Sequence, residues 1–486
     1  MSKKWLNLLI VLLISASLLI GCTGDNKGPS ESKDPSDATP TPAANDGVVD
    51  DGVPEMDLDG YEFVIAEAWY YDAADRPSLE AGTSDLSDAI LERNAEIEER
   101  FNCTIVYDYY DPVSFYDTVY PILMSGEKFA DVMTPTLFNY GKFFNGEYLY
   151  DLNELPYVNL DESYWYDIYD EAAITVDGMR LGAASFIANP FRRAFGVFFN
   201  KRLIEEQNLD NPYDLVAAGE WDWENFSRLI NGAMRDVNND AVFDDNDVFS
   251  VTGGLDGGIQ ALYLTSGNKM FDVDEEGLVR YAMTDSNVMS TLTQLKDMFS
   301  APGSYYSGSW DASRCTDNFV DGNVTFYLNL AAKSPHLRNM EDDYGLVPLP
   351  MATGQTEYIS AVDHNSAIIC VPYTIDNPEA TGAVLQALSA ASEKERQIWA
   401  SELEALNFRD GESYEYLEDF IFPGITFDPL FMYHRLAPEF FKYTTTTIWE
   451  PVVRDRALDA ATLINEGKEV TQTLIDEIIN KLPAGE

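Results

Sequence analysis

The chain has 486 residues, and its 83 acidic against 31 basic side chains leave a formal net charge of −52. That balance repels phosphate backbones and anionic surfaces, which excludes nucleic acid as a partner. Even without its N-terminal segment, the length exceeds the single-core ceiling of roughly 250–300 residues and predicts at least two lobes.

In chain order, Lys3 and Lys4 precede an apolar run from Trp5 to Ile20 that stops at Gly21-Cys22. A basic start, a short apolar core and a small residue before the stop describe a secretory signal peptide over residues 1–21. The run is marginal for a membrane span, which takes about 20 apolar residues. Leu19-Ile20-Gly21-Cys22 resembles the bacterial lipobox. The resemblance implies diacylation of Cys22 and a lipid anchor at the extracellular face of the bacterial cell membrane. Residues 22–52, rich in Ser, Asp, Pro, Thr, Gly and Ala, bury too little apolar surface to offset ordering entropy and are predicted to be a disordered tether.

The folded part opens with a strand over Tyr61–Ala68 and a helix capped by Ser84 or Ser87, with Ile90, Leu91, Ile97 and Phe101 at helical spacing. A strand over Cys103–Tyr109, a helix over Phe115–Met124 and a short strand at Ala130–Met133 follow. Such alternation predicts a parallel-type α/β sheet, whose ligands sit beyond the carboxyl ends of the strands. A second α/β region begins near Gly178, with strands at Arg193–Asn200, Phe249–Val251, Thr325–Leu330 and Tyr344–Pro350. Helices start near Lys201 and at Trp221–Glu224, and Phe226, Leu229 and Ile230 share one face of the latter. Ser366–Val371 reads as a returning strand, Asn377-Pro378 as cap and first-turn proline of a helix, and Trp449–Leu482 as two helices joined at Glu466-Gly467. Cys103, Cys315 and Cys370 are widely spaced and odd in number, so they read as buried free thiols, with room for at most one bridge.

Residues 236–247 resemble an EF-hand-type calcium loop. Asp236, Asn238, Asp240, Asp244 and Asp247 stand at its oxygen-ligand positions, and Val242 would offer its carbonyl. Ala241 replaces the usual glycine and Asp247 the longer glutamate, so the alternative is an acidic turn. The expectation is structural Ca2+, a staple rather than a sensor.

Four segments in order resemble the extracellular solute-binding proteins of bacterial ABC sugar importers, the maltose-binding-protein-like family. They are Phe129-Ala130-Asp131-Val132 with Gly146–Leu152, Phe198–Leu203, Trp223–Phe226, and Leu349-Pro350 with Ala367–Ile369 and Asn377–Ala380. Phe199 stands where the family usually has tyrosine, and the aromatic stretch Pro156–Tyr169 is unusual. The resemblance implies a two-lobe, type II periplasmic-binding-protein-like α/β fold. Each lobe would be a mostly parallel sheet flanked by helices, with the ligand in the cleft between them. Residues 53–172 plus 359–395 would form one lobe and 173–358 plus 396–486 the other, with crossings near 172–180 and 345–358. It also implies capture of a carbohydrate, an oligosaccharide best suiting the aromatic richness, for delivery to ABC permease subunits by a monomeric, non-enzymatic protein. The competing classes are a secreted glycan-active enzyme, for which no nucleophile elbow, HExxH or P-loop is present, and a surface adhesin.

Position then selects the site candidates. Trp69 and Tyr70 end the first strand, and Asn139 follows the third. Arg193 precedes an apolar strand, as a cleft contact or a structural ion pair; Asp256 lies in the Gly-rich turn, and Asn329 ends a strand. Asp363 and His364 precede the return strand, and Trp449 opens the C-terminal helices, where the family places a late cleft aromatic. Carboxylate, amide and guanidinium groups satisfy hydroxyls while flat rings cover sugar faces.

Overall fold

Three parallel strands, β1 (Tyr61–Ala68), β2 (Cys103–Tyr110) and β3 (Val132–Thr134), pair in the order β2-β1-β3 in this computed structural model. The structure describes residues 49–68, 79–144, 148–169, 171–176, 178–253, 257–306, 312–446, 448–449, 452 and 459–481, all within the compact unit Gly47–Glu486. Helix α1 (Asp85–Phe101) begins where the Ser84 hydroxyl accepts the Ser87 N–H at 3.1 Å and ends at Asn102, which adopts a left-handed φ of 48°. Helices α2 (Phe115–Ser125) and α3 (Leu137–Phe143) complete the unit.

The period-2 alternation of β1 divides its cover. Phe63 and Ile65 join Ile97 and Phe101 of α1 and Val384 and Leu388 of the long helix Pro378–Glu402. Ala66 and Ala68 face the opposite way, into a cluster with Phe115, Val119, Leu123 and Met133. That second cluster continues without a break to Val197 and Leu328 of another sheet, so apolar packing as well as chain crossings joins the two sheets.

The second sheet has five strands, ordered Tyr305–Tyr306, Phe249–Gly253, Val324–Leu330, Phe195–Asn200 and Tyr344–Val347. Only Phe195–Asn200 runs against its neighbours. Its residues, like those of Phe249–Gly253 and Val324–Leu330, are buried throughout, as expected of strands covered on both faces. The Asn200 and Asp222 side chains accept the Leu203 and Asn225 N–H groups, at 3.0 and 2.8 Å, and so start the helices Lys201–Glu206 and Trp223–Ala233. Among the described residues no helix is long and apolar enough to cross a membrane.

Several expectations need correction. Ser366–Val371 forms no regular ladder: Ala367 and Cys370 bridge Thr136 and Met133, while Ile369 bridges Ala183. Residues 366, 368 and 370 exchange backbone hydrogen bonds with Leu137, Pro135 and Met133 in one antiparallel register, while Ile369 and Val371 bond to Ala183 and Tyr150, so the segment makes bridges to both sides and no continuous ladder. The helix Ala460–Leu474 passes unbroken through Glu466-Gly467. Ala183 bridges Ile369, while Met351 bonds to Trp221 and Trp223. Asp51 already pairs with Arg100 at 2.6 Å and Val53 is buried, so packing starts within the stretch read as tether. The three internal cysteines are free and buried.

Candidate functional site

The carboxyl end of β3, the segment entering Phe195–Asn200 and the returning segment at 363–366 meet. The N–H groups of Leu137 and Phe138 donate to the carbonyls of Ser366 and His364, at 2.8 and 3.3 Å, which pins the start of α3 to the return segment. Arg193, last residue of the short helix Pro190–Arg193, forks onto Asp363: Nε donates to Oδ1 at 2.9 Å and Nη2 to Oδ2. Burial alone would raise the Asp363 carboxyl, but the Arg193 charge and hydrogen bonds hold it below the usual range.

The His364 ring lies 4.5 Å from His434 and 5.9 Å from Phe138, and the Arg435 guanidinium sits 4.0 Å above the Phe138 ring. Burial pushes His364 down to about 4, against the pull of Asp363 and with the repulsion of Arg193 and Arg435. Burial also lowers His434, and its Nδ1 is 3.2 Å from the Phe431 carbonyl, which can only accept, so Nδ1 carries the proton. This corner therefore holds two neutral imidazoles beside one bidentate ion pair. Gly141 lets α3 approach: a Cβ there would stand 2.0 Å from the Met432 carbonyl oxygen, two residues before His434.

Of the residues singled out from sequence, Arg193, Asp363 and His364 come together here. Asn139 is adjacent in chain but turned to other work, its Nδ2 donating to Pro112 O at 2.6 Å and Thr136 Oγ1 at 3.1 Å. Asn329 is buried in its strand, donating to the Tyr327 hydroxyl at 2.5 Å and accepting the Leu330 N–H. Trp449 is fully buried, its ring 5.1 Å from Tyr263, and its indole N–H has no hydrogen-bond partner. Trp69, Tyr70, Asp256 and Cys22 lie outside the described residues. Sequence reasoning missed Phe138, His434 and Arg435; the scarcity of histidine, 3 in the chain, was the available signal for His434.

In the loop 236–247 the carboxylates serve the loop's own backbone. Asp236 accepts the Asp240 and Ala241 N–H groups, Asp240 that of Val242, and Asp247 those of Val237 and Asp244. Asn238 Oδ1 accepts from Asp240, and Asp244 from Asn246. Val242 is exposed. Among the described residues no three His, Cys, Asp or Glu side chains converge on one point.

No family model and no curated protein matches the sequence. Solved structures do match. An ABC substrate-binding protein of Listeria monocytogenes, solved with cycloalternan, superposes at TM-score 0.56 with 13% identity, covering 86% of this chain and 99% of its own. The GacH receptor of Streptomyces glaucescens, solved unliganded and with acarbose, gives 0.56 and 12% over 86% and 99%. A cyclic α-maltosyl-1,6-maltose-binding protein of Arthrobacter globiformis gives 0.58 and 11% over 86% and 100%. The chain has the type II periplasmic-binding-protein-like fold of these proteins.

Proposed function

We propose that the chain is the ligand-capturing subunit of an ABC importer, taking up a carbohydrate in the groove between its two sheets and passing it to membrane permease subunits. The observation that carries this reading is the match of fold over nearly the whole length of proteins solved with cycloalternan or acarbose or named for binding cyclic α-maltosyl-1,6-maltose. The ion pair Arg193–Asp363 supports it, since it sits where both sheets' connections meet and presents paired charge beside the ends of strands. Two lobes, 53–172 plus 359–395 and 173–358 plus 396–486, would close on the ligand, and closure is favoured only by contacts to both. Signal-peptide removal and acylation at Cys22 would hold the chain at the extracellular face of the cell membrane by its tether. Binding without turnover is the function, and an oligosaccharide the favoured ligand class.

The test is a melting screen of the full chain with mono- and oligosaccharides, paired with small-angle scattering. A micromolar ligand at about 100 times its Kd stabilises by about 2.7 kcal/mol. The expected result is a raised Tm and a smaller radius of gyration with one sugar class. No shift with any sugar, or conversion of the sugar to products, overturns the reading. Calcium at 236–247 remains a separate proposal, supported by residue spacing alone and requiring the carboxylates to turn from the loop's N–H groups toward one centre. Millimolar calcium should then raise Tm in the native chain and not in Asp240→Asn; equal behaviour of the two would remove the metal from the account.

A further inference from the structure

Cations elsewhere in this acidic chain find carboxylates: Arg93 pairs with Glu395 at 2.8 Å inside the fold, and Arg202 with Asp342 at 2.8 Å nearer the surface. Two beside α3 do not. Arg435, exposed, holds its guanidinium 4.0 Å above the centre of the Phe138 ring, and Lys142, half-buried, holds its ammonium 4.9 Å above that of Tyr116. Among the described residues neither forms an ion pair, and a ring is what each rests on. Local structure brings the two together. Phe138 and Lys142 stand four apart on α3 and share a face. Gly141, without a side chain, admits the short helix Leu430–Tyr433 against α3, and Arg435 follows two residues after that helix. Burial lowers the Lys142 ammonium, Asp117 pulls it back up, and the Arg435 charge lowers it further. Tyr116 is itself stacked on Tyr120 at 5.1 Å and 24°, which fixes the ring beneath Lys142.

Like charges side by side repel, and 83 acidic side chains make internal partners plentiful. Adjacent cations left to each other therefore mark a place for a negative group from outside the chain. A guanidinium over a ring keeps its N–H edge for an oxyanion, which it holds by two bonds, and an ammonium adds up to three donors. A neutral hydroxyl accepts from those donors and leaves the charge unbalanced; an anionic group answers both. The face adjoins the corner described above, because the Phe138 N–H donates to the His364 carbonyl at 3.3 Å. We propose that Lys142 and Arg435 hold an anionic group on the captured saccharide, a uronate carboxylate or a sugar phosphate. This rests on the groove reading above and narrows its ligand to acidic sugars.

Isothermal titration of the full chain tests this by comparing trigalacturonate with maltotriose and glucose 6-phosphate with glucose. One anionic probe should bind at least 10-fold tighter than its neutral counterpart, and which of the two does so identifies the anionic group. Arg435→Met and Lys142→Met should each reduce that preference about 10-fold, the scale of one charge-assisted hydrogen bond. Arg435→Lys keeps the charge without the fork and should lose part of the preference. Lys468→Met removes an exposed charge from the helix Ala460–Leu474 and should leave the preference unchanged, which separates local contact from net charge. Equal affinity for anionic and neutral probes, or a preference that survives either methionine variant, overturns the site. Neutral sugars still bound in that case leave the groove standing. A chain that binds none of the four probes also loses this site, and the groove is then decided by the wider melting screen.

Discussion

His364 is where one residue's environment sets a measurable property of the whole chain. Its pKa stands at about 4 in the fold, against about 6.5 when unfolded. Between those values the unfolded chain binds the extra proton, so stability falls as pH falls from about 6.5 toward 4 and is fully recovered above it. Asp428, pushed up to about 6 by burial, works in the opposite direction over part of the same range, which makes the wild-type curve alone ambiguous. His364→Asn separates them, because Asp428 and the surface carboxylates are common to both chains. From pH 7 to 4.5 the native chain should lose roughly 2 kcal/mol more unfolding free energy than the variant, read from urea curves. Parallel curves would mean that His364 is as well solvated in the fold as out of it. The corner itself was half legible. Arg193, Asp363 and His364 were reached because they stand next to strand ends. Asn139 and Asn329 share that placement, yet their amide nitrogens donate to the Pro112 carbonyl and the Tyr327 hydroxyl, contacts that no local pattern announces. Arg93 and Glu395 left a sequence trace that was passed over: Arg93 interrupts the stripe Ile90-Arg93-Ile97, and Glu395 the stripe Leu388-Glu395-Trp399, so each is a charge on a buried face.

At the level of elements, caps and periodicity located most starts. Ser84, Asn200, Asp222 and Asn377 each accept an N–H from the first turn of the helix that follows, and each is a short polar residue ahead of an apolar stripe. What failed depended on distant partners. Ser366–Val371 has strand composition, but beside it stand only the short segment Met133–Leu137 and, on the other side, the separate residues Ala183 and Tyr150, so bridges form in place of a ladder. Gly467 was taken for a helix end, and the reason it is not one lies at Tyr443. A Cβ at 467 would meet Tyr443 Cγ at 2.4 Å and its Cβ at 2.7 Å, so glycine serves close packing rather than a break. Those atoms sit near the Tyr443 backbone and cannot swing away as a side-chain tip would. Gly467→Ala should therefore destabilise the chain by about 1–3 kcal/mol, although alanine favours an exposed helix by about 1 kcal/mol. Combining it with Tyr443→Ala should recover part of the loss. A variant as stable as the native chain would show that the two segments move apart at no expense.

For the molecule as a whole, charge is the largest quantity in view and the one least tied to the fold. Ion pairs do form, and several are well made, such as Arg280 with Asp272 and Asp285 at 2.6 and 2.8 Å. They use a small supply, however: with 31 cations for 83 carboxylates, a net charge of −52 is left unbalanced however the pairs are made. Salt weakens attraction and repulsion alike, so the sign of its effect reports which of them dominates. Here the unmatched carboxylates outnumber every possible pair, and self-repulsion in the compact state exceeds that in the expanded chain. Raising ionic strength from about 0.01 M to about 0.15 M shortens the screening length from roughly 30 Å to roughly 8 Å, less than the width of one lobe. Tm at pH 7 should therefore climb over that interval in sodium chloride and level off above it. A Tm that falls with added salt would mean that the paired minority, and not the unpaired majority, governs the electrostatics of the folded chain. The same repulsion acts across any groove between the sheets, so the affinity of a neutral sugar should rise with salt in step with Tm.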